Sequence, residues 1–261
     1  MIKTDKTIRI LAPIYGLDSI YGRTIVIKQN ITIRCVNYEA KEDDLLKSCG
    51  LDLKNYTVLD IKYKYKQDNI HEPYPAIQSL LNRIESALRT YHPGIVGFAG
   101  IISQPKVSPF PICIEKTTPS GPNQYKIDIN KLIGFPDFYK KFCTAYSKKP
   151  IAFHRFNKSC DRAPVTKVSE DKIIDYCICL ENLFVPSNSR NNSSFVSQGL
   201  VILRFSSKDI EMIKTLFEYR NSIVHADFAK QRRVHVHHTH YYEEIEEIMR
   251  KVLLVYIEKP W

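Results

Sequence analysis

Residues 59–67 read LDIKYKYKQ. Apolar and charged side chains trade places at every step, with Ile61, Tyr63 and Tyr65 on one side and Lys62, Lys64 and Lys66 on the other. A period of two is the pleat of a β-strand that buries one face and wets the other. The same alternation recurs in TIRILA (7–12), RTIVIK (23–28) and ITIRCV (31–36). Short apolar runs at IVGFAGII (95–102), PICIEK (111–116) and YKIDIN (125–130) extend the strand series. Stretches rich in proline and glycine, such as SQPKVSPFP and TPSGPN, separate them. One helix interrupts the series. In PAIQSLLNRIESALRTY (75–91), Ile77, Leu80, Leu81, Ile84 and Leu88 fall at helical spacing, and Pro75 suits a first turn.

From Phe135 the period lengthens to that of a helix. FPDFYKKFCTAYSKK is broken at Pro150, IAFHRFNKSC follows, and SEDKIIDYCICLENLF (169–184) opens on Ser169 as an N-cap with two acids behind it. The polar loop PSNSRNNSS leads to a weaker helical stretch, FVSQGLVILRF, and then to SKDIEMIKTLFEYRNSIVHADF and YYEEIEEIMRKVLLVYIEK (241–259). The pattern predicts an α+β chain, with a β-rich domain over 1–133 and an all-helical bundle over 134–261.

The 261 residues are 44% hydrophobic and 25% charged, enough to bury a core in one large or two modest domains. No run approaches the ~18 apolar residues of a membrane helix. The opening residues MIKTDKTIRILAPIYGLD lack the apolar core of a secretory leader. Seven cysteines without regular spacing argue against a disulfide framework. Cys177 and Cys179 sit in an apolar helical pattern, where thiols act as small hydrophobes. A cytoplasmic protein is the expectation. The net charge of +10 favours polyanionic partners, nucleic acid first, with an acidic protein or an anionic membrane surface behind.

Ile210, Ile213, Phe217 and Val224 form a helical stripe, and Arg220 belongs to the same series. A guanidinium there needs a carboxylate, a phosphate or a wet cleft to face. Glu181 falls on the apolar face marked by Ile174 and Cys177, so Glu181 bracing Arg220 or Arg155 is a structural reading of both anomalies. A chemical reading adds Asn221 and His225, four residues apart beside Arg220. Arginine holds phosphate oxygens, histidine exchanges protons near neutral pH, and an amide orients either. RNA cleavage by its own 2′-hydroxyl needs those functions, and no metal or other cofactor. On an ideal helix Arg220 and His225 project about 140° apart, an aim that two facing copies meet more easily than one.

FHRFN (153–157), EDKIIDYCICLENL (170–183) and FEYRNSIVHA (217–226), in that order, resemble the HEPN superfamily of helical domains, and within it the ApeA-like group. The resemblance covers a little under half the chain. It implies a helical bundle, a homodimer that joins two motifs in one cleft, and metal-independent endoribonuclease activity on RNA, with toxin or antiviral defence as its setting. Arg220, Asn221 and His225 match the order of the family's catalytic motif. Some members are inactive modules that bind RNA or protein, which is the alternative. A subgroup carries tyrosine two residues after the histidine, where this chain has Asp227.

Lys62, Lys64 and Lys66 make a stripe suited to a phosphate backbone, or merely a solvated strand face. RRVHVHHTHYY (232–242) offers Arg232 and Arg233 as further phosphate contacts. Its histidines, His235, His237, His238 and His240, read better as a basic loop than as a zinc site, because no cysteine lies nearby. The first domain would recognise substrate, sense a protein or nucleic-acid trigger, or hold a partner.

Overall fold

The computed structural model describes residues 5–17, 24–35, 57–66, 73–93, 96–98, 101–104, 129–161, 170–186, 189, 192–226 and 239–261. It shows an antiparallel sheet in the first part of the chain and helices in the second, the α+β organisation that the two periodicities predict. The chain divides into two compact units, Met1–Lys140 and Lys141–Trp261.

The sheet contains β1 (Asp5–Tyr15), β2 (Thr24–Lys28), β3 (Ile31–Cys35), β4 (Thr57–Lys66), β5 (Gly97–Phe98) and β6 (Ile102–Gln104). Its order is β2-β3-β4-β1-β5, with β6 also pairing β1. The β1–β4 ladder runs from Asp5 opposite Lys66 to Ile14 opposite Thr57 without a register shift. Alternation therefore sorts the side chains. Ile8, Ile10, Ala12 and Ile14 of β1, Ile31 and Ile33 of β3, and Leu59 and Ile61 of β4 are buried on one face. Exposed Lys62 and Lys64 lie on the other. Helix α1 (Pro73–Tyr91) buries Ile77, Leu80, Leu81, Ile84 and Leu88, the stripe read from sequence.

Two ionic arrangements brace this unit. In α1, Arg89 donates to Glu85 at 2.9 Å and through Nε to the Val96 carbonyl at 2.7 Å, and both side chains are almost fully buried. Gly97 permits that approach: a β-carbon there would collide with the Tyr15 ring and the Glu85 carboxylate. Across the sheet, Asp60 accepts two hydrogen bonds from Arg9 (3.1 and 2.7 Å) and one from Arg34 (2.9 Å). Burial alone would push the Asp60 carboxyl up, but bonds and charges from Arg9 and Arg34 outweigh it and hold the group below its ordinary value.

YKIDIN ends differently from its strand reading. Ile129–Leu132 is a single 3₁₀ turn that buries Leu132. PICIEK, the start of YKIDIN and Ser169 lie outside the described residues.

The helices that follow are α2 (Phe135–Lys148), α3 (Pro150–Asp161), α4 (Glu170–Phe184), α5 (Asn192–Ile202), α6 (Ser207–Val224) and α7 (Thr239–Glu258). Pro150 occupies the first turn of α3, where its missing N–H costs nothing. Helix α4 packs against α3, α5 and α6. It buries Ile173, Tyr176, Cys177, Cys179, Leu180 and Leu183. Burial pushes both thiols far above their ordinary range, so they stay protonated and inert, as their apolar setting predicts. Helix α7 is tied to α4 through Glu246, which accepts from Tyr176 at 3.2 Å and Lys172 at 3.3 Å, while Arg250 holds its second oxygen at 3.1 Å. Phe142 meets Phe153 edge-on at 4.8 Å, and Trp261 stacks on Phe184 while donating to the Leu183 carbonyl at the end of α4. Among the described residues, no helix is long and apolar enough to cross a membrane.

Asp60→Asn is expected to destabilise the sheet unit by about 1–3 kcal/mol at pH 7, since it removes a charged acceptor shared by two guanidinium groups. The Asp60 carboxyl titrates lower when folded than when unfolded. Its stabilisation is therefore complete above the unfolded value and is lost as the pH falls through the folded one. Urea titrations of both proteins should show a difference that closes below about pH 4.

Candidate functional site

Ser206 caps α6 with a reciprocal capping box, its hydroxyl receiving the Asp209 N–H while the Asp209 carboxylate receives the Ser206 N–H. Along the stripe Ile210 is half-buried, and Ile213 and Phe217 are buried, as the spacing predicts. It surfaces at its end, where Val224 is 56% exposed. Arg220 lies at that transition, with its side chain 26% exposed.

Three helices meet there. Glu181, in the last turn of α4, lies 3.6 Å from Nη2 of Arg220. The same carboxylate oxygen accepts a hydrogen bond from Asn192 Nδ2, at the start of α5, at 2.9 Å. Arg220 Nη1 donates to Asn221 Oδ1 at 3.1 Å. Cys177 is buried one turn below Glu181 and feels both charges, Arg220 opposing and Glu181 reinforcing the upward push of burial. Two polar atoms of the cluster are buried without a hydrogen-bond partner among the described residues, Arg220 Nε and Asn192 Oδ1.

The structure thus brings together Glu181, Arg220 and Asn221, and adds Asn192. Of the two partners that sequence allows Glu181, it selects Arg220. Arg155 is placed elsewhere: it pairs at 2.7 Å with Asp175, a buried carboxylate six residues before Glu181 and so about 9 Å along α4. His225 lies one turn beyond Asn221, as the spacing predicts, but at the very end of the helix. The helix ends at Val224 and His225 is its C-cap, donating its N–H to the Asn221 carbonyl while its side chain is exposed. The next residue, Ala226, takes the left-handed conformation (φ 51°) that normally selects glycine and donates to the Ile223 carbonyl. A β-carbon there is strained, and such strain gathers where function holds a backbone in place. Arg232 and Arg233 lie outside the described residues, as do His235, His237 and His238.

Asn192 and Asp175 are the participants that pattern reading passes over. Asn192 sits within a run of polar loop residues and has no periodicity to flag it. Asp175, an acid within the apolar run IIDYCICL, carries the better signal. Among the described residues, no three His, Cys, Asp or Glu side chains converge as ligands for a metal ion.

The Arg220–Glu181 pair differs from the one in the sheet unit. Glu85 and Arg89 are 1% and 2% exposed and within hydrogen-bonding distance; Glu181 and Arg220 are 16% and 26% exposed and beyond it. The first is a structural pair. The second is an open arginine that a carboxylate steers.

In comparisons with known proteins, no family model matches the chain, and neither a curated protein nor a solved structure is significantly similar to it.

Arg89→Ala is expected to cost about 3–5 kcal/mol, by stranding a buried carboxylate. Arg220→Ala should cost about 1 kcal/mol or less, as for a solvent-screened pair. Chemical denaturation of the two variants measures the contrast. Ala226→Gly should raise stability by about 1 kcal/mol through relief of the left-handed backbone, read as a shift in denaturation midpoint.

Proposed function

We propose that the helical unit is a metal-independent endoribonuclease of HEPN type, acting as a homodimer in the cytoplasm. The observation that carries this reading is the half-open Arg220, which has a buried Nε without a partner and a carboxylate too distant to satisfy it. From the open side of the residue, a phosphodiester oxygen meets the terminal nitrogens of that guanidinium. The chemistry that fits is transesterification. The 2′-hydroxyl loses its proton, its oxygen bonds to phosphorus, and the bond to the 5′-oxygen breaks as that oxygen gains a proton. Arg220 holds the charge that builds on the phosphate, Asn221 fixes the guanidinium, and exposed His225 carries a proton at one of the two oxygens. Arg220 within the last turn and His225 at the cap point in different directions. Motifs from two copies therefore complete one cleft, as the resemblance of FEYRNSIVHA to HEPN motifs implies. A growth-arresting toxin or an antiviral effector, triggered through the sheet unit, is the setting that follows from the same resemblance.

One observation favours a second reading. Glu181 already faces Arg220 and Asn192, so the cluster also suits a non-catalytic module in which these residues shape a surface for RNA or a protein.

The two readings part on His225. Wild-type protein and its His225→Ala variant are incubated with tRNA and total RNA in EDTA, with folding checked by circular dichroism. The nuclease predicts cleavage leaving 2′,3′-cyclic phosphate and 5′-hydroxyl ends, reduced by about 10²–10⁴-fold in the variant. Equal cleavage by both proteins removes His225 from the chemistry. Binding without cleavage by either selects the module.

A further inference from the structure

The β1–β4 register gathers positive charge on one face of the sheet. Arg9 stands opposite Lys62 and Thr7 opposite Lys64, and the β3–β4 register puts Arg34 on the same side. Towards the middle this face is covered, with Leu11 and Val58 buried. Towards the end of β4 it is open, with Thr7, Lys62 and Lys64 exposed. Asp60 gathers Arg9 and Arg34 at the boundary, so that two guanidinium groups share this carboxylate beside the two lysines. At the far end the register sets Asp5 opposite Lys66.

We infer that this face is a docking surface for the phosphodiester backbone of a single-stranded nucleic acid. Lys62 and Lys64 repeat about every 7 Å along the strand, and Arg9 follows one strand over at about 5 Å. With the one net positive charge that Arg9 and Arg34 leave after Asp60 is counted, the two lysines make a row that a chain of regularly spaced phosphates fills and an isolated anion does not. The surface is held still: Lys62 exchanges backbone and side-chain hydrogen bonds with Asn30, its N–H reaching the Asn30 carbonyl at 2.9 Å and its carbonyl receiving Asn30 Nδ2 at 3.1 Å. The described part of this face presents no helix or ribbon of its own to enter a duplex groove, whereas an extended strand lies along a flat sheet. Tyr63 and Tyr65 alternate onto the opposite face, so the bases find no stacking platform from β4 and recognition is by charge, without regard to sequence.

Docking on this face does not depend on the proposed chemistry. A labelled mixed-sequence DNA oligonucleotide has the backbone but no 2′-hydroxyl, so it reports docking whether or not the protein cuts RNA. Fluorescence anisotropy across a range of salt, in EDTA, compares wild type with Lys62→Ala/Lys64→Ala. The control is Lys208→Ala/Lys214→Ala, which removes equal charge from exposed positions on α6. Removal of the β4 lysines should weaken binding about tenfold or more at low salt and flatten the slope of log affinity against log salt by about 1.4, at about 0.7 for each phosphate that goes unneutralised. The control should leave the slope unchanged. Equal slopes in the β4 variant and wild type, tighter binding to duplex than to single strand, or preference for phosphatidylserine vesicles would each overturn the inference.

Discussion

The long antiparallel pairing of β1 with β4 is the constraint on which the first unit depends. Along a strand each step of one residue exchanges core for solvent, so a ladder without a shift commits ten consecutive positions at once. Its consequences are chemical as well as structural. Sliding β4 by one residue would put Lys62 and Lys64 into the layer that holds Ile8, Ile10 and Ile33, where each ammonium would lose its hydration without gaining a partner. The alternation that makes the core is thus also what segregates the charge.

The helical unit rests on a different constraint, the desolvation of ionic groups inside a bundle. Glu246 shows one solution: a carboxylate that burial would push up is held below its ordinary value by Lys172 and Arg250, with a hydrogen bond from Tyr176. Asp175 shows another, a buried acid met by an arginine at 2.7 Å. Against these, the Glu181–Arg220 pair is poorly satisfied. At 3.6 Å it is an ion pair without a direct hydrogen bond, and the guanidinium keeps an Nε without a hydrogen-bond partner among the described residues. An arrangement that served stability alone would gain by closing that gap, as Glu85 and Arg89 have done.

Much of this was legible in sequence, for identifiable reasons. Period two marked β1, β2, β3 and β4, because each has one face in the core and another that is wet along at least part of its length. Period 3.6 marked α1 and the helices from Phe135 onward for the same reason. The Glu181–Arg220 pair was legible because two charges interrupted two apolar stripes. What escaped had no period to carry it. The 3₁₀ turn at Ile129 is too short to have one. Asn192 acts from the edge of a polar loop, where one more asparagine attracts no notice. The end of α6 escaped too, since nothing in RNSIVHADF says that the helix stops at Val224. Glycine, the usual signal, is absent, and Ala226 takes the left-handed turn in its place.

That helix end decides how Arg220 and His225 stand to one another. Ending α6 at Val224 does not swing His225 round to Arg220, because its N–H still closes a helical turn on the Asn221 carbonyl and leaves the two residues about 140° apart. Arg220 keeps its place, set by Phe217 below it and by Glu181 and Asn221 at its head. His225, exposed at the cap, is held by its backbone alone through the Asn221 carbonyl. Asn221 therefore serves both partners, its side chain receiving the guanidinium and its main chain the histidine. A phosphate bound at Arg220 would draw on the first of these contacts and leave the second intact, so the position of the histidine survives the arrival of substrate.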